Sequence, residues 1–274
     1  MGYSVKEAGR GGEAAGGHES HRGAHAPSRR RLSVGLLNEG SYPHQRGGVG
    51  TWCDMLVRGV PEVSFVLVSL VANPNVEISY ELPDNVAEVV TVPLWGIDGV
   101  LERRRDLGVA ALMQRRRSTP DTVISQHFLP LFRDFLDLVW RRTVEAEATI
   151  QVLRALAGYF RVYDYDTTMR SQPVWRTFVE MATPGLERVE TVLGKPDPVP
   201  LSEVTQALRL LARWLTVLTV ELPPLDIVHS MAAGLTGIIG IVAADDPDTT
   251  FLLSEHGIYL RERLIALAEA EEGR

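Results

Sequence analysis

The feature that most constrains this chain is an alternation of apolar runs and helical patterns near its start. Residues 32–37 predict a buried strand, residues 51–58 a helix, and residues 64–71 a second, β-branched strand. Residues 88–92 form a third apolar run that predicts another strand. A strand, a helix and a strand in succession are typical of parallel sheets, in which the helix crosses over one face. The sequence therefore predicts the α/β class, with a Rossmann-like parallel sheet.

A second region interrupts this pattern from about residue 101 to residue 220. Its apolar residues recur three and four positions apart, which predicts a large insertion of four to six helices. Pro173, Pro184 and the stretch 196–200 are expected to separate these helices. The run Tyr-Asp-Tyr-Asp at 163–166 fits either core packing or sugar binding through stacked rings and carboxylates.

The α/β pattern resumes after the insertion. Residues 226–229 and 251–254 predict two further strands, and residues 232–242 predict a helix that Ser230 caps. A final helix is predicted at 259–270. The domain from 32 to 274 is therefore expected to be a single Rossmann-like unit that carries the helical insertion.

Composition narrows the functional classes. Residues 1–31 are rich in Gly, His, Arg and Ser, which predicts a disordered tail. A net charge of -7 argues against a nucleic-acid partner. The most apolar stretch, 231–244, is shorter than the roughly 20 residues that span a membrane, and no signal peptide is apparent. With Cys53 as the single cysteine, we expect a cytoplasmic protein without a transmembrane segment.

Polar side chains follow three of the predicted strands. In open parallel sheets the carboxyl ends of the strands meet at one edge, and ligands bind there. The residues expected at this edge are Glu39 and Tyr42 after the first strand, His229 and Ser230 after the strand at 226–229, and Glu255, His256 and Tyr259 after the strand at 251–254.

Two of these features allow alternative interpretations. The glycines at 47–50 either let backbone N–H groups approach an anion such as a diphosphate, or form a tight turn that needs positive φ. His229 is either a functional residue at a loop edge or a core histidine with satisfied hydrogen bonds. Because Glu255 and His256 are adjacent, one is expected to face the cleft while the other braces the loop.

Several site types are excluded by their missing motifs. No Gly-Lys-Ser or Gly-Lys-Thr follows the glycines, so the loop is not a P-loop. No Gly-x-Ser-x-Gly nucleophile elbow is present. His229 and His256 have neither a nearby cysteine nor a His-Glu-x-x-His pattern, so we expect no metal site.

The sequence resembles the opening domain of PelF-type glycosyltransferases, which are retaining enzymes of glycosyltransferase family 4 with the GT-B fold. The resemblance is ordered along nearly all of the chain from 32 to 263. It rests on the segments 36–43, 46–52, 80–86, 92–94, 226–230, 234–235 and 255–263.

The resemblance implies the N-terminal, acceptor-side half of a two-domain transferase. It implies that Gly47, Gly48 and Val49 approach the diphosphate of the donor and that His229 contacts the transferred sugar. It also implies a cleft lined by Glu255 and His256, which with His229 are the catalytic candidates. The substrate-facing candidates are Glu39, Tyr42, Ser230 and Tyr259.

The same resemblance sets expectations for ligands and partners. The donor is a nucleotide-sugar such as a UDP-sugar, the acceptor is a saccharide or another sugar acceptor, and no cofactor is required. The family continues into a donor-binding domain after the segment 255–263, so we expect that domain on another chain. The alternative is a non-catalytic module that binds a saccharide or a partner and regulates.

Overall fold

The computed structural model describes residues 30–95, 108–140, 145–192 and 199–257, together with 261, 264, 265 and 268. Within 186–192 only the backbone is described. The described residues from 31 onward belong to one compact unit. Nearly all of the predicted tail 1–31, Tyr259 and most of the predicted helix at 259–270 lie outside the described residues.

A five-stranded parallel sheet forms the centre of this unit, which confirms the predicted Rossmann-like α/β fold. The strand order is β3-β2-β1-β4-β5, and every neighbouring pair is parallel. The strands are β1 (Ser33–Asn38), β2 (Ser64–Val71), β3 (Val86–Pro93), β4 (Ile227–Ser230) and β5 (Thr250–Leu253). All five lie within three residues of the predicted strands, because the apolar runs that mark them are short and clearly bounded.

Among the described residues, helices pack on both faces of the sheet. Helix α1 (Gly48–Gly59) buries Gly50, Cys53 and Val57, and these positions lie on one side of a helix. Cys53 and Val57 join the cluster that covers Leu36 and Leu67 of the sheet. The buried Cys53 thiol has its pKa raised to about 12 because burial disfavours the thiolate. Cys53 is therefore a core residue.

The opposite face of the sheet is covered by the helix Leu235–Ala243 and by a short 3-10 turn. The helix is nearly all apolar and packs Ile239 against Val228. Gly240 in this helix is constrained, because a Cβ there would lie 2.2 Å from the ring of Phe251. The 3-10 turn, Thr216–Thr219, adds Val217 to the same cluster.

The insertion is helical, as predicted. The helical segments are α2 (Val109–Arg117), α3 (Leu129–Trp140), α4 (Ala146–Val162), α5 (Tyr165–Met169), α6 (Gln172–Val192) and α7 (Leu201–Leu215); the Leu235–Ala243 helix is α8. A helical turn at Asp121–Val123 and a π-helical turn at Ile124–Phe128 lead directly into α3.

The insertion has a core of its own and is tied to the sheet layer. Stacked and tilted aromatic rings, among them Phe128, Phe132 and Phe160, fill that core. Arg154 of α4 connects the two regions, since it donates to the Ile241 and Ala244 carbonyls at the end of α8. A cation at a helix C-terminus also favours the helix dipole, so this contact stabilises both elements.

Two local predictions are wrong. Pro184 does not separate two helices but lies inside α6. Ser230 does not cap α8, whose N-cap residue is Gly234. Of the two interpretations of the run at 163–166, core packing holds for Asp164, which is buried and caps α5 by accepting hydrogen bonds from the N–H and the hydroxyl of Thr167.

Among the described residues, no helix is both long and apolar enough to cross a membrane.

Candidate functional site

The candidate site lies where the sheet changes direction. From β1 the chain proceeds to β2 and β3 on one side, while β4 and β5 extend the sheet on the other. The loops that leave β1 and β4 are therefore expected to diverge at the carboxyl ends of these strands, and the region between them is called the crevice below. Crevices of this kind are the usual ligand sites of doubly wound folds.

Asn38, at the end of β1, holds the first loop of the crevice. Its Oδ1 accepts hydrogen bonds from Ser41 N at 3.0 Å, Tyr42 N at 3.1 Å and Ser69 Oγ at 3.1 Å. Its Nδ2 donates to the Tyr42 carbonyl at 2.6 Å. Asn38 is fully buried, so these bonds satisfy the amide while they fix the path of the loop.

The glycines of the loop have two different roles. Gly50 is required by packing, because a Cβ there would lie 2.5 Å from the Gln45 carbonyl oxygen and 2.8 Å from the Tyr80 hydroxyl. Gly47 and Gly48 are exposed, and a Cβ on either would meet nothing within 4 Å. The tight-turn interpretation is wrong for Gly47, whose φ of 177 is extended backbone; positive φ occurs instead at Gly40.

Helix α1 begins at this open loop without a side-chain cap. Its N-cap residue, Gly47, has no side chain to accept from the first N–H groups, and its first turn contains no acidic residue. The Thr51 N–H bonds the Gly47 carbonyl, so the helix starts at Gly48 rather than at the predicted residue 51. Uncapped N–H groups and the positive end of the helix dipole favour an anion at this position.

His229 lies on the other side of the crevice, near the end of β4. It pairs with Leu36 of β1 and Leu252 of β5, and it is 7% exposed. Its Nε2 lies 2.8 Å from Ser254 Oγ, which follows β5. The structure therefore places His229 at the rim of the core, with one ring nitrogen engaged by the neighbouring loop.

Trp52 joins the two predicted histidines. Its ring centroid lies 4.8 Å from that of His256 and 6.1 Å from that of His229, and both contacts are edge-to-face. Trp52 follows Gly48 by about one helical turn. The open end of α1 and the ends of β4 and β5 are thus brought to one place.

The adjacent residues Glu255 and His256 are both exposed. The ring of His256 contacts α1 through Trp52. That one of this pair faces the crevice stays a prediction.

Burial lowers the pKa of His229, and the His256 imidazole lowers it further. Burial removes the water that would stabilise an imidazolium, and positive charges on two neighbouring imidazoles would repel each other. A neutral imidazole has one nitrogen that donates and one that accepts. His229 is therefore suited to hydrogen bonding with hydroxyl groups near neutral pH.

Three residues that were predicted to contact the substrate form hydrogen bonds within the protein. Tyr42 is 0% exposed, and its hydroxyl donates to Asp54, so it supports the loop from below instead of lining the crevice. Burial, with Asp54 second, raises the pKa of the Tyr42 hydroxyl. Ser230 is also fully buried, and its hydroxyl donates to the Ala232 carbonyl and forms a second hydrogen bond with the Thr236 hydroxyl.

Glu39 has a structural partner as well. Its Oε1 accepts from the Leu235 N–H at 2.8 Å, which caps the start of α8 across the crevice. A carboxylate at this position also suits the positive end of the helix dipole. Glu39 therefore links the loops that follow β1 and β4. The fourth predicted substrate residue, Tyr259, lies outside the described residues.

No group of three or more His, Cys, Asp or Glu side chains in the described part of the chain is placed to hold a metal ion.

Sequence reasoning missed two residues of this site. Trp52 is not among the predicted site residues, although its position just after a glycine loop is a usable signal for an exposed ring at a helix start. The signal for Asn38 is weaker. Asparagine side chains at the end of an apolar strand commonly hydrogen-bond the backbone of the following loop, so an asparagine here predicts such a bond.

These features define the class of the molecule as a Rossmann-like parallel α/β protein whose strand order reverses between β1 and β4. Residues 32–273 match the family model described as Domain of unknown function (DUF3492), and the chain belongs to that family. No curated protein and no solved structure matches the chain.

Proposed function

We propose that this protein is the acceptor-side half of a retaining glycosyltransferase, which passes a sugar from a nucleotide-sugar to a saccharide acceptor. The observation that carries the proposal is the convergence of the uncapped start of α1 with His229, His256 and Trp52 at one crevice. The resemblance of the same segments to PelF-type glycosyltransferases supports it.

The open loop is assigned to the donor diphosphate. Gly47 and Gly48 leave free space where side chains would stand, and the N-cap Gly47 offers no side-chain acceptor to the first N–H groups of α1, among them that of Val49. A diphosphate supplies the negative charge and the acceptor oxygens that such a helix start favours.

The histidines are assigned to the sugar. A neutral His229 can exchange hydrogen bonds with sugar hydroxyls, and its bond to Ser254 fixes the ring orientation. The exposed rings of Trp52 and His256 offer an apolar wall for the sugar. Glu255 is exposed beside them, and its carboxylate is assigned to the lining of the cleft.

The donor is held only in part by these residues. The described residues contain one parallel sheet, whereas a GT-B transferase uses a second Rossmann-like domain for its nucleotide-sugar. We propose that such a domain completes the site and that the reaction takes place in the cytoplasm. Precise positioning of both substrates supplies much of the rate of a transferase, so this chain alone is expected to bind the donor weakly.

The test is reconstitution with a donor-domain protein and a UDP-sugar. Transfer to a saccharide acceptor should occur with both proteins and not with either alone. If no combination of donor-domain protein and nucleotide-sugar produces transfer, while the chain is folded, the enzymatic assignment is wrong.

A non-catalytic saccharide-binding or partner-binding module is the second candidate. It is favoured by the internal use of Glu39, Tyr42 and Ser230, which removes three polar groups from the crevice. A glycan-array experiment separates the two candidates: saccharide binding that is unchanged by a donor-domain protein, without transfer, supports the module.

A further inference from the structure

A second cavity lies at the opposite edge of the sheet from the crevice. It has a volume of about 530 Å³ and is lined by Leu225 and Val228 at the start of β4 and by Thr249 just before β5. In a parallel sheet the amino ends of the strands are remote from their carboxyl ends, so this cavity is separate from the proposed transfer site. Its volume is in the range of small-molecule sites, about 300–1,000 Å³.

The floor of this cavity is apolar and well packed. Leu225, Val228, Ile239 and Val242 are at least nine-tenths buried, and they come from β4 and α8. The segment 220–224, which leads from the insertion into β4, forms another wall. A floor of this kind favours a hydrocarbon or aromatic group over water.

The rim of the cavity is charged, and most of the charges are already paired. Arg115 lies 3.9 Å from Glu221, and it donates to the Arg161 carbonyl. The carboxylate of Asp246 accepts from the Asp248 N–H. These contacts leave few charges for a ligand.

Arg161 is the exception. Its guanidinium takes part in none of the ion pairs found among the described residues, and this exposed residue lines the cavity. A guanidinium offers several N–H donors to an anionic group. The unpaired charge therefore favours a ligand with one anionic group.

We propose that this cavity is a second binding site, for a small ligand with an apolar body and one anionic group. The body occupies the apolar floor formed by β4 and α8, and the anionic group meets Arg161. Because α2 and α4 of the insertion supply Arg115 and Arg161 while the sheet layer supplies the floor, a bound ligand bridges the two regions.

The experiment uses two fluorescent probes that share one aromatic skeleton. The first is 8-anilinonaphthalene-1-sulfonate, and the second is N-phenyl-1-naphthylamine, which lacks the sulfonate. Fluorescence titration of the full chain should show saturable binding of both probes at one site. The sulfonate probe is expected to bind about tenfold more tightly, as a charge-assisted contact to Arg161 requires.

Two kinds of variant separate the contributions of charge and cavity. Arg161→Gln should abolish the tenfold preference and leave binding of the neutral probe unchanged. Ala243→Phe, which fills the cavity from the end of α8, should lower the affinity for both probes at least tenfold. Val220→Phe is a second filling variant from another wall, and circular dichroism verifies that each variant is folded.

Arg209→Gln is the matched control, because Arg209 is an exposed arginine of α7 outside the cavity. It should change neither affinity. The proposal is overturned if neither probe binds saturably, if Arg161→Gln and Arg209→Gln act alike, or if both filling variants fold and bind like the wild type.

Discussion

The helical insertion and the carboxyl edge of the sheet both use polar side chains in local hydrogen bonds, and they differ in what surrounds their helix starts. In the insertion, Asp164 caps α5, whereas α2, α4 and α7 begin without a side-chain cap. At the carboxyl edge, α1 also begins without a cap, and the exposed rings of Trp52 and His256 lie beside its first turn. An uncapped helix start therefore does not mark a ligand site by itself, and a ligand is expected where such a start lies beside exposed rings.

The comparison predicts different costs for substitutions in the two regions. In the insertion, stability should depend on buried volume. At the carboxyl edge it should depend on a few buried hydrogen bonds, whereas the exposed residues should matter for ligands and little for folding.

The largest expected effect is in the insertion. Phe128→Ala removes a fully buried ring that packs against Phe132, Tyr159 and Phe160. Because the cavity cannot collapse completely, the free energy of unfolding should fall by about 4 kcal/mol. Urea unfolding measures this loss. Val139→Ala, at an exposed position of α3, is the control and should change stability by less than about 0.5 kcal/mol.

At the carboxyl edge, Asn38→Ala should have the next largest effect. The substitution leaves the buried N–H of Tyr42 and the hydroxyl of Ser69 without their acceptor. The expected loss is about 3 kcal/mol in the free energy of unfolding. Asn75→Ala, in an exposed turn, is the control. Equal stabilities of the two variants would show that Asn38 does not hold the loop.

The glycines provide a smaller and sharper test within one loop. Gly50→Ala forces a Cβ against the Gln45 carbonyl and should cost about 2 kcal/mol in the free energy of unfolding. Gly48→Ala meets open space in the first turn of α1 and should be neutral or slightly stabilising. Thermal unfolding compares them. Destabilisation by Gly48→Ala equal to that by Gly50→Ala would contradict the distinction between packing and open glycines.

The smallest expected effect is on the pH dependence of stability. Since the pKa of His229 is lowered from its ordinary 6.5, the unfolded chain takes up a proton more readily than the folded protein. The contribution of His229 to the free energy of unfolding is fully present above pH 6.5. It is lost as the pH falls from 6.5 through the lowered pKa of the folded state. His229→Gln should flatten this part of the stability curve, and His127→Gln, at an exposed position of the insertion, should not. Parallel curves for the wild type and His229→Gln would contradict the shift.

The sheet was predictable from the sequence because its strands are short apolar runs with clear ends. Helix boundaries were harder to predict. Glycine disfavours helix in general, so the start of α1 was placed at residue 51, whereas the backbone bond from Thr51 to Gly47 extends it to Gly48. A proline inside a helical pattern predicts the end of a helix, yet α6 continues through Pro184.

The candidate site was predictable in position but not in detail. Strand order and the carboxyl-edge rule locate the loops, and the structure brings His229 and His256 to Trp52. Polarity alone does not show whether a side chain faces the crevice. Tyr42 and Ser230 follow their strands as expected, yet both are fully buried and bonded within the protein.

The central claim is that the carboxyl edge, and not the insertion, carries sugar transfer. It is tested most directly by comparing His229→Ala with His127→Ala, one histidine from each region, in the reconstituted transfer assay. We predict that His229→Ala lowers the transfer rate at least about 100-fold, the scale of a lost group that acts in the transition state, with cooperative unfolding retained, and that His127→Ala transfers at the wild-type rate. Wild-type transfer by a folded His229→Ala variant would contradict the account.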